Sequence, residues 1–184
     1  MTEDVKRVAA AIAGNPTAWR WANGLILVAA IVPALGLVPI SLRFEGPARA
    51  WASTGLVAFV FAALFAAIDR MISIQVTTWA APQYPDPTAF AVWEAFEALG
   101  LTFYVLGFLA IALYGVAMAQ ADRTKGLGWA FVAASLLCIA LEVVGGAGIP
   151  AFVFLGTASL SVATWQLRVP PRSTDGTTNA RIAA

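Results

Sequence analysis

The chain has 184 residues, 60% of them hydrophobic and 11% charged, with a formal net charge of +1. Soluble domains carry about 45–50% apolar and about 25% charged residues, and a water-solvated fold of this length could not hide the excess. The near-neutral charge removes any bulk attraction to nucleic acid. The absence of histidine and the single cysteine, Cys138, remove imidazole and thiolate metal sites, disulfides and histidine-based dyads.

Residues 1–20 form a polar, amphipathic segment with Glu3, Asp4, Lys6 and Arg7 near its start. It lacks the apolar core and cleavage site of a secretory signal. A membrane-spanning helix needs about 20 apolar residues, and five runs qualify. The first, Trp21 to Leu42, lies between Arg20 and Arg43 and contains Pro33 and Pro39, which are expected to kink it. The second runs from Ala50 to Ile68 and meets Asp69 and Arg70. Its helix is expected to continue to about Trp79, because Met71 to Ala80 holds no proline or glycine. Pro82, Pro85 and Pro87 then enforce a turn, after which Thr88 is placed to cap a new helix.

The third run is Ala98 to Ala121. The fourth is Gly126 to Val144, interrupted by Glu142, and the fifth is Ile149 to Leu167. Residues 169–184 read as a disordered polar tail. The fold class is therefore all-α: a polytopic transmembrane helical bundle over residues 21–168, with about five spans and an extended hairpin between spans two and three. Ala50–Ile68 and Ala98–Ala121 lack the polar face that a soluble helix would show.

Basic residues set the orientation. Seven (Arg43, Arg49, Arg123, Lys125, Arg168, Arg172, Arg181) fall on one side of a five-span bundle and four (Lys6, Arg7, Arg20, Arg70) on the other, out of the 11 in the chain. This bias predicts a multi-pass cell-membrane protein with its N-terminus outside and its C-terminus cytoplasmic.

The candidate polar pocket comprises Asp69, Arg70, Glu94, Glu97 and Glu142. Arg70 and Glu97 stand at similar distances from the proline turn, and Glu94 and Glu97 share a helix face. Ala58, Ala62, Ala66 and Arg70 follow one another at four-residue steps, a small-residue stripe that would aim Arg70 at a neighbouring helix. The expectation is an ion pair of Arg70 with Glu97 or Glu94, with Asp69 nearby; the alternative is that these charges solvate helix ends. Glu142, ahead of Gly145, Gly146 and Gly148, is either an interfacial carboxylate or a protonatable group facing the bundle. The tryptophans, Trp19, Trp21, Trp51, Trp79, Trp93, Trp129 and Trp165, mostly fall at span ends, as interfacial anchors do. Gly100, Gly107 and Gly115 are expected to serve packing, and Cys138 to be a buried small hydrophobe.

Trp93-Glu94 ahead of a glycine-containing span, Ala112-Leu113-Tyr114-Gly115 near its end, Gly126-Leu127-Gly128-Trp129 opening the next, and a last span closing on Leu167-Arg168 resemble small multi-pass bacterial membrane proteins of unknown function. That resemblance implies a helical membrane bundle, often of six spans, and brings no activity or catalytic residues with it.

Lys6 and Lys125 lie outside the runs, which disfavours a buried Schiff base. No cofactor and no metal is expected. The implied surroundings are a lipid bilayer, with a membrane-protein partner, a second copy or a hydrophobic small molecule as candidate binders. Three functions stay open: binding of a partner subunit or hydrophobic ligand, acid catalysis on a lipid or isoprenoid by a carboxylic acid, and transport.

Overall fold

The computed structural model describes residues 3–83, 87–120 and 124–145, together with Leu155, Ala158, Ser159, Ser161 and Val162; at 3–5, 87–98 and 145 the backbone alone is described. Every regular element among these is helical. α1 spans Glu3–Gly14 and α2 Pro16–Ser41. Asn15 separates them: its side chain accepts the Ala18 amide at 3.0 Å, and Pro16 supplies a preset φ for the first turn. Pro33 and Pro39 both lie inside α2, which continues through them.

α3 (Gly46–Ile72) opens at Gly46, whose φ of +55° needs a residue without a Cβ, and Pro47 follows at once. The helix runs on as expected, through a π turn at Ser73–Thr77, a short α4 (Thr78–Ala80) and a 3-10 turn at Ala81–Gln83. The tip of the expected hairpin, residues 84–86, lies outside the described residues. α5 (Pro87–Ala119) starts one residue ahead of the expected cap Thr88, because proline tolerates the first helical position. α6 spans Lys125–Gly145 and ends where the glycine run begins.

Four of these helical stretches are long and apolar enough to cross a membrane: Pro16–Ser41, Gly46–Gln83, Leu99–Ala119 and Lys125–Val144. The bundle is thus compatible with an integral membrane protein. Most of the expected fifth run, and the tail at 169–184, lie outside the described residues. Within that run Leu155, Ala158 and Val162 are buried in the main core.

The core is built on a seven-residue rhythm. On α3 the buried stripe is Ala52, Gly55, Phe59, Ala62, Ala66 and Asp69, with Ala63 buried beside it and Ser73 next. Alternating steps of three and four keep one stripe facing a partner helix. The expected stripe of uniform four-residue steps swings about 40° around the helix at each step, given about 100° per residue. Asp69 therefore takes the most buried position, and Arg70 beside it reaches the neighbouring helix α2, as the stripe predicts. α2 contributes Ala30, Ala34, Leu37 and Ser41 to the core at the same spacing.

Glycines set the closest approaches. A Cβ on Gly55 would stand 3.1 Å from the Ala110 carbonyl oxygen, and one on Gly107 2.9 Å from Leu155. A Cβ on Gly115 would lie 2.7 Å from the Gly128 carbonyl oxygen. The expected packing role of Gly107 and Gly115 is therefore observed, with α3 against α5 and α5 against α6 as the most extensively packed pairs. These contacts also fix antiparallel register, since Gly55 sits beside Ala110 and Tyr114 while Asp69 sits beside Gly100.

The outer faces carry large apolar side chains, among them Leu25, Val32, Val60, Leu64, Leu137 and Val144. Only 17% of the apolar window of α6 is buried inside the protein. A soluble bundle would place its polar residues there. Cys138 is partly buried against the core rather than fully enclosed, because α6 offers only one face to α5.

Gly115 and Gly36 provide an internal comparison. Gly115→Val drives two methyl groups into backbone and is expected to cost about 1–3 kcal/mol. Gly36→Ala meets nothing within 4 Å and should leave stability unchanged or slightly raised. Thermal unfolding of the two variants in mild detergent checks both.

Candidate functional site

The polar residues inside the bundle gather at one end. Asp69 is 6% exposed and accepts from its neighbour Arg70 at a single oxygen, Oδ2: Nε donates at 2.8 Å and Nη2 also donates. The Nη1 group of Arg70 donates to Asn23 Oδ1 of α2 at 3.0 Å. Asn23 is itself buried, and its Nδ2 donates to the Trp19 carbonyl at 3.0 Å. The Trp19 indole N–H then donates to Thr77 Oγ1 at 2.7 Å, and more weakly to the Ser73 carbonyl at 3.4 Å. Thr77 Oγ1 in turn donates to that same carbonyl.

A continuous chain of hydrogen bonds therefore runs from Asp69 through Arg70, Asn23 and Trp19 to the π turn, tying α2 to α3. Buried polar groups need such partners, and a fully connected network satisfies each of them. The Ser73 carbonyl accepts two side-chain donors within the π turn, a type of irregularity frequent at functional sites. Gly100 of α5 completes the enclosure, since a Cβ there would stand 3.9 Å from Asp69 Oδ2.

Glu142 approaches the same level from the other side. The Gly115–Gly128 contact sets the register of α5 and α6, which carries Glu142 to the height of Tyr104. Tyr104 lies in the electrostatic field of Arg70, Glu142 and Asp69 together. Its ring packs on Phe103 with centroids 4.9 Å apart. Glu142 is 6% exposed, and its Oε2 has no hydrogen-bond partner among the described residues. The other buried side-chain oxygen without one is Ser135 Oγ, two turns earlier on the same face of α6. Cys138 lies between them.

Arg70, Asp69 and Glu142 are thus brought to one end of the bundle, but Arg70 and Glu142 do not pair: the ion pair among the described residues is Arg70–Asp69. The backbone register puts Glu97 close to the level of Arg70. The carboxylates of Glu94 and Glu97, and with them the expected pairing to Arg70, lie outside the described residues. Glu142 is buried, as expected of a group facing the bundle.

Asn23, Trp19 and Thr77 were not singled out by sequence reasoning. An asparagine near the start of an otherwise apolar run was the available signal, since an amide in hydrocarbon needs a partner on another helix. Trp21, Trp51, Trp79 and Trp129 do have exposed rings, as anchors would; Trp19 is instead partly buried in the network. No group of histidine, cysteine and carboxylate side chains among the described residues could hold a metal ion.

No family model, no curated protein and no solved structure matches this chain.

Arg70→Met would leave Asp69 buried without its counter-charge. The cost is expected to be about 3 kcal/mol, at the low end for a buried pair because the Arg70 side chain keeps 27% exposure. The double variant Asp69→Leu, Arg70→Met should recover most of that loss. Unfolding titrations in mixed detergent measure both, and an unchanged single variant would remove the pair from the account.

Proposed function

We propose that the protein is an integral membrane protein that binds a hydrophobic ligand within its helical bundle, with the ligand's polar group held by Asp69, Arg70, Glu142 and Tyr104. The observation that carries this reading is Glu142 Oε2, buried yet without a hydrogen-bond partner among the described residues. A buried polar atom left unsatisfied costs about 1–3 kcal/mol, more for a charged group. The side chains of Asp69, Arg70, Asn23, Trp19 and Thr77 are linked by hydrogen bonds, whereas Glu142 Oε2 marks a place where an incoming molecule gains what the protein lacks.

Distances along the helices agree with a site close to one membrane boundary. Trp51 to Asp69 spans about 27 Å of helix, and Lys125 to Glu142 about 26 Å. Both approach the hydrocarbon thickness of about 30 Å. A ligand could enter laterally from one leaflet, with its apolar part in lipid and its polar group at the cluster. In the same reading the membrane is the cell membrane, with the N-terminus outside and the C-terminus cytoplasmic. A green fluorescent protein fused to the C-terminus would then fluoresce, and a dark fusion with a periplasmically active one would reverse the assignment.

The ligand reading is favoured over a partner subunit because the unpartnered carboxyl faces into the bundle, whereas a subunit would dock on the outer faces. Native mass spectrometry of protein extracted in mild detergent tests this reading. A bound small molecule is expected, with its occupancy strongly reduced in Glu142→Gln. A ligand-free protein, or an adduct equally abundant in the variant, would contradict it.

A further inference from the structure

The charges at this site restrict what it can hold. Three of the five Arg70 N–H donors are in use, two to Asp69 and one to Asn23, and the Arg70 charge is paired with that of Asp69. Glu142 has no such counterpart. Lys125 stands at the opposite end of α6, about 26 Å along the helix. Lys6, Arg7 and Arg20 are exposed. Among the described residues Asp69 thus has a cation in contact and Glu142 has none.

An anionic group would meet two carboxylates and is disfavoured. A cation would supply what Glu142 lacks. The aromatic pair Phe103 and Tyr104 at the same level adds the negative faces of two rings, and a carboxylate beside aromatic rings is a setting that favours ammonium groups. The inner face of α6 continues from Glu142 past Cys138 and Ile139, both packed on the apolar core. Leu137 and Leu141 on the outer side of the same helix are exposed, a surface that suits a hydrocarbon tail and offers little to a free polar amine.

Building on the reading of a ligand-binding bundle, we propose that the site takes a lipophilic ammonium ion, its charged nitrogen against Glu142 and its tail in lipid along the exposed apolar side of α6. The proposal follows from an unpaired, nine-tenths-buried carboxyl beside a carboxylate–guanidinium pair that is already closed.

Three probes with one tail and different heads test it: dodecylammonium, dodecanol and dodecanoate, each titrated into the full chain in maltoside detergent while unfolding is followed by tryptophan fluorescence. A ligand selective for the native state raises Tm in proportion to its saturation. Dodecylammonium is expected to raise Tm by about 4 °C or more at a hundredfold excess over its Kd. Dodecanol and dodecanoate should give no comparable shift. Glu142→Gln keeps the shape of the side chain and is expected to weaken the ammonium effect at least tenfold. Glu45→Gln, in the exposed turn between α2 and α3, should preserve it.

Equal stabilisation by dodecanol would overturn the cationic assignment and leave ligand binding intact. A shift that survives Glu142→Gln would overturn the assigned contact. No shift with any probe, alongside a co-purifying neutral or anionic molecule, would overturn the proposal alone; no shift and no co-purifying molecule would overturn the ligand reading with it.

Discussion

Hydrocarbon offers no hydrogen bonds, so every polar group placed among apolar helices must find its partner within the protein. This constraint organises the structure at both ends of the bundle. Near one end Tyr114 is fully enclosed, and its hydroxyl and that of Ser41 stand 2.6 Å apart. Ser41 gives its own proton to the Leu37 carbonyl at 2.8 Å, so Tyr114 is the donor between them. Near the other end the network from Asp69 to the π turn closes on itself through five side chains of two helices. Against that background the free oxygen of Glu142 is the feature that packing alone does not explain.

The same constraint explains why small residues dominate the contacts. Association in lipid gains little from burying apolar surface, so it depends on close packing and on hydrogen bonds between helices. Gly55, Gly107, Gly115 and Gly128 let backbones approach to distances at which a Cβ would collide. That closeness holds α5 and α6 in register, which in turn delivers Glu142 to the level of Tyr104 and the Asp69–Arg70 pair. Packing at Gly128 thus positions a carboxyl about 21 Å away along the same helix.

Much of this architecture is legible in the residues. Four of the expected runs correspond to helices of spanning length, because uninterrupted apolar stretches have few other stable forms. The continuation of α3 beyond Asp69 follows from the absence of glycine or proline before Pro82. The helix end at Gly145 follows from the glycines beyond Val144. The site is less legible. A four-residue spacing and a seven-residue rhythm diverge only after several turns, so the sequence alone does not decide whether Asp69 or Arg70 faces inward. Asn23 and Trp19 lie far from Arg70 in the chain, and only the antiparallel packing of α2 on α3 brings them together. Asp69 is expected only to lie near Arg70, yet this immediate neighbour in sequence takes the guanidinium.

The central claim is that the outer faces of these helices are solvated by lipid. Nitroxide labels at Val60 on α3 and Leu137 on α6, placed one at a time in a Cys138→Ser background and reconstituted in vesicles, test it through collision with oxygen and with a water-soluble nickel chelate. Both labels should be readily reached by oxygen, which concentrates in the bilayer, and poorly by the chelate. Free access of the chelate to both positions in the folded protein would contradict the account.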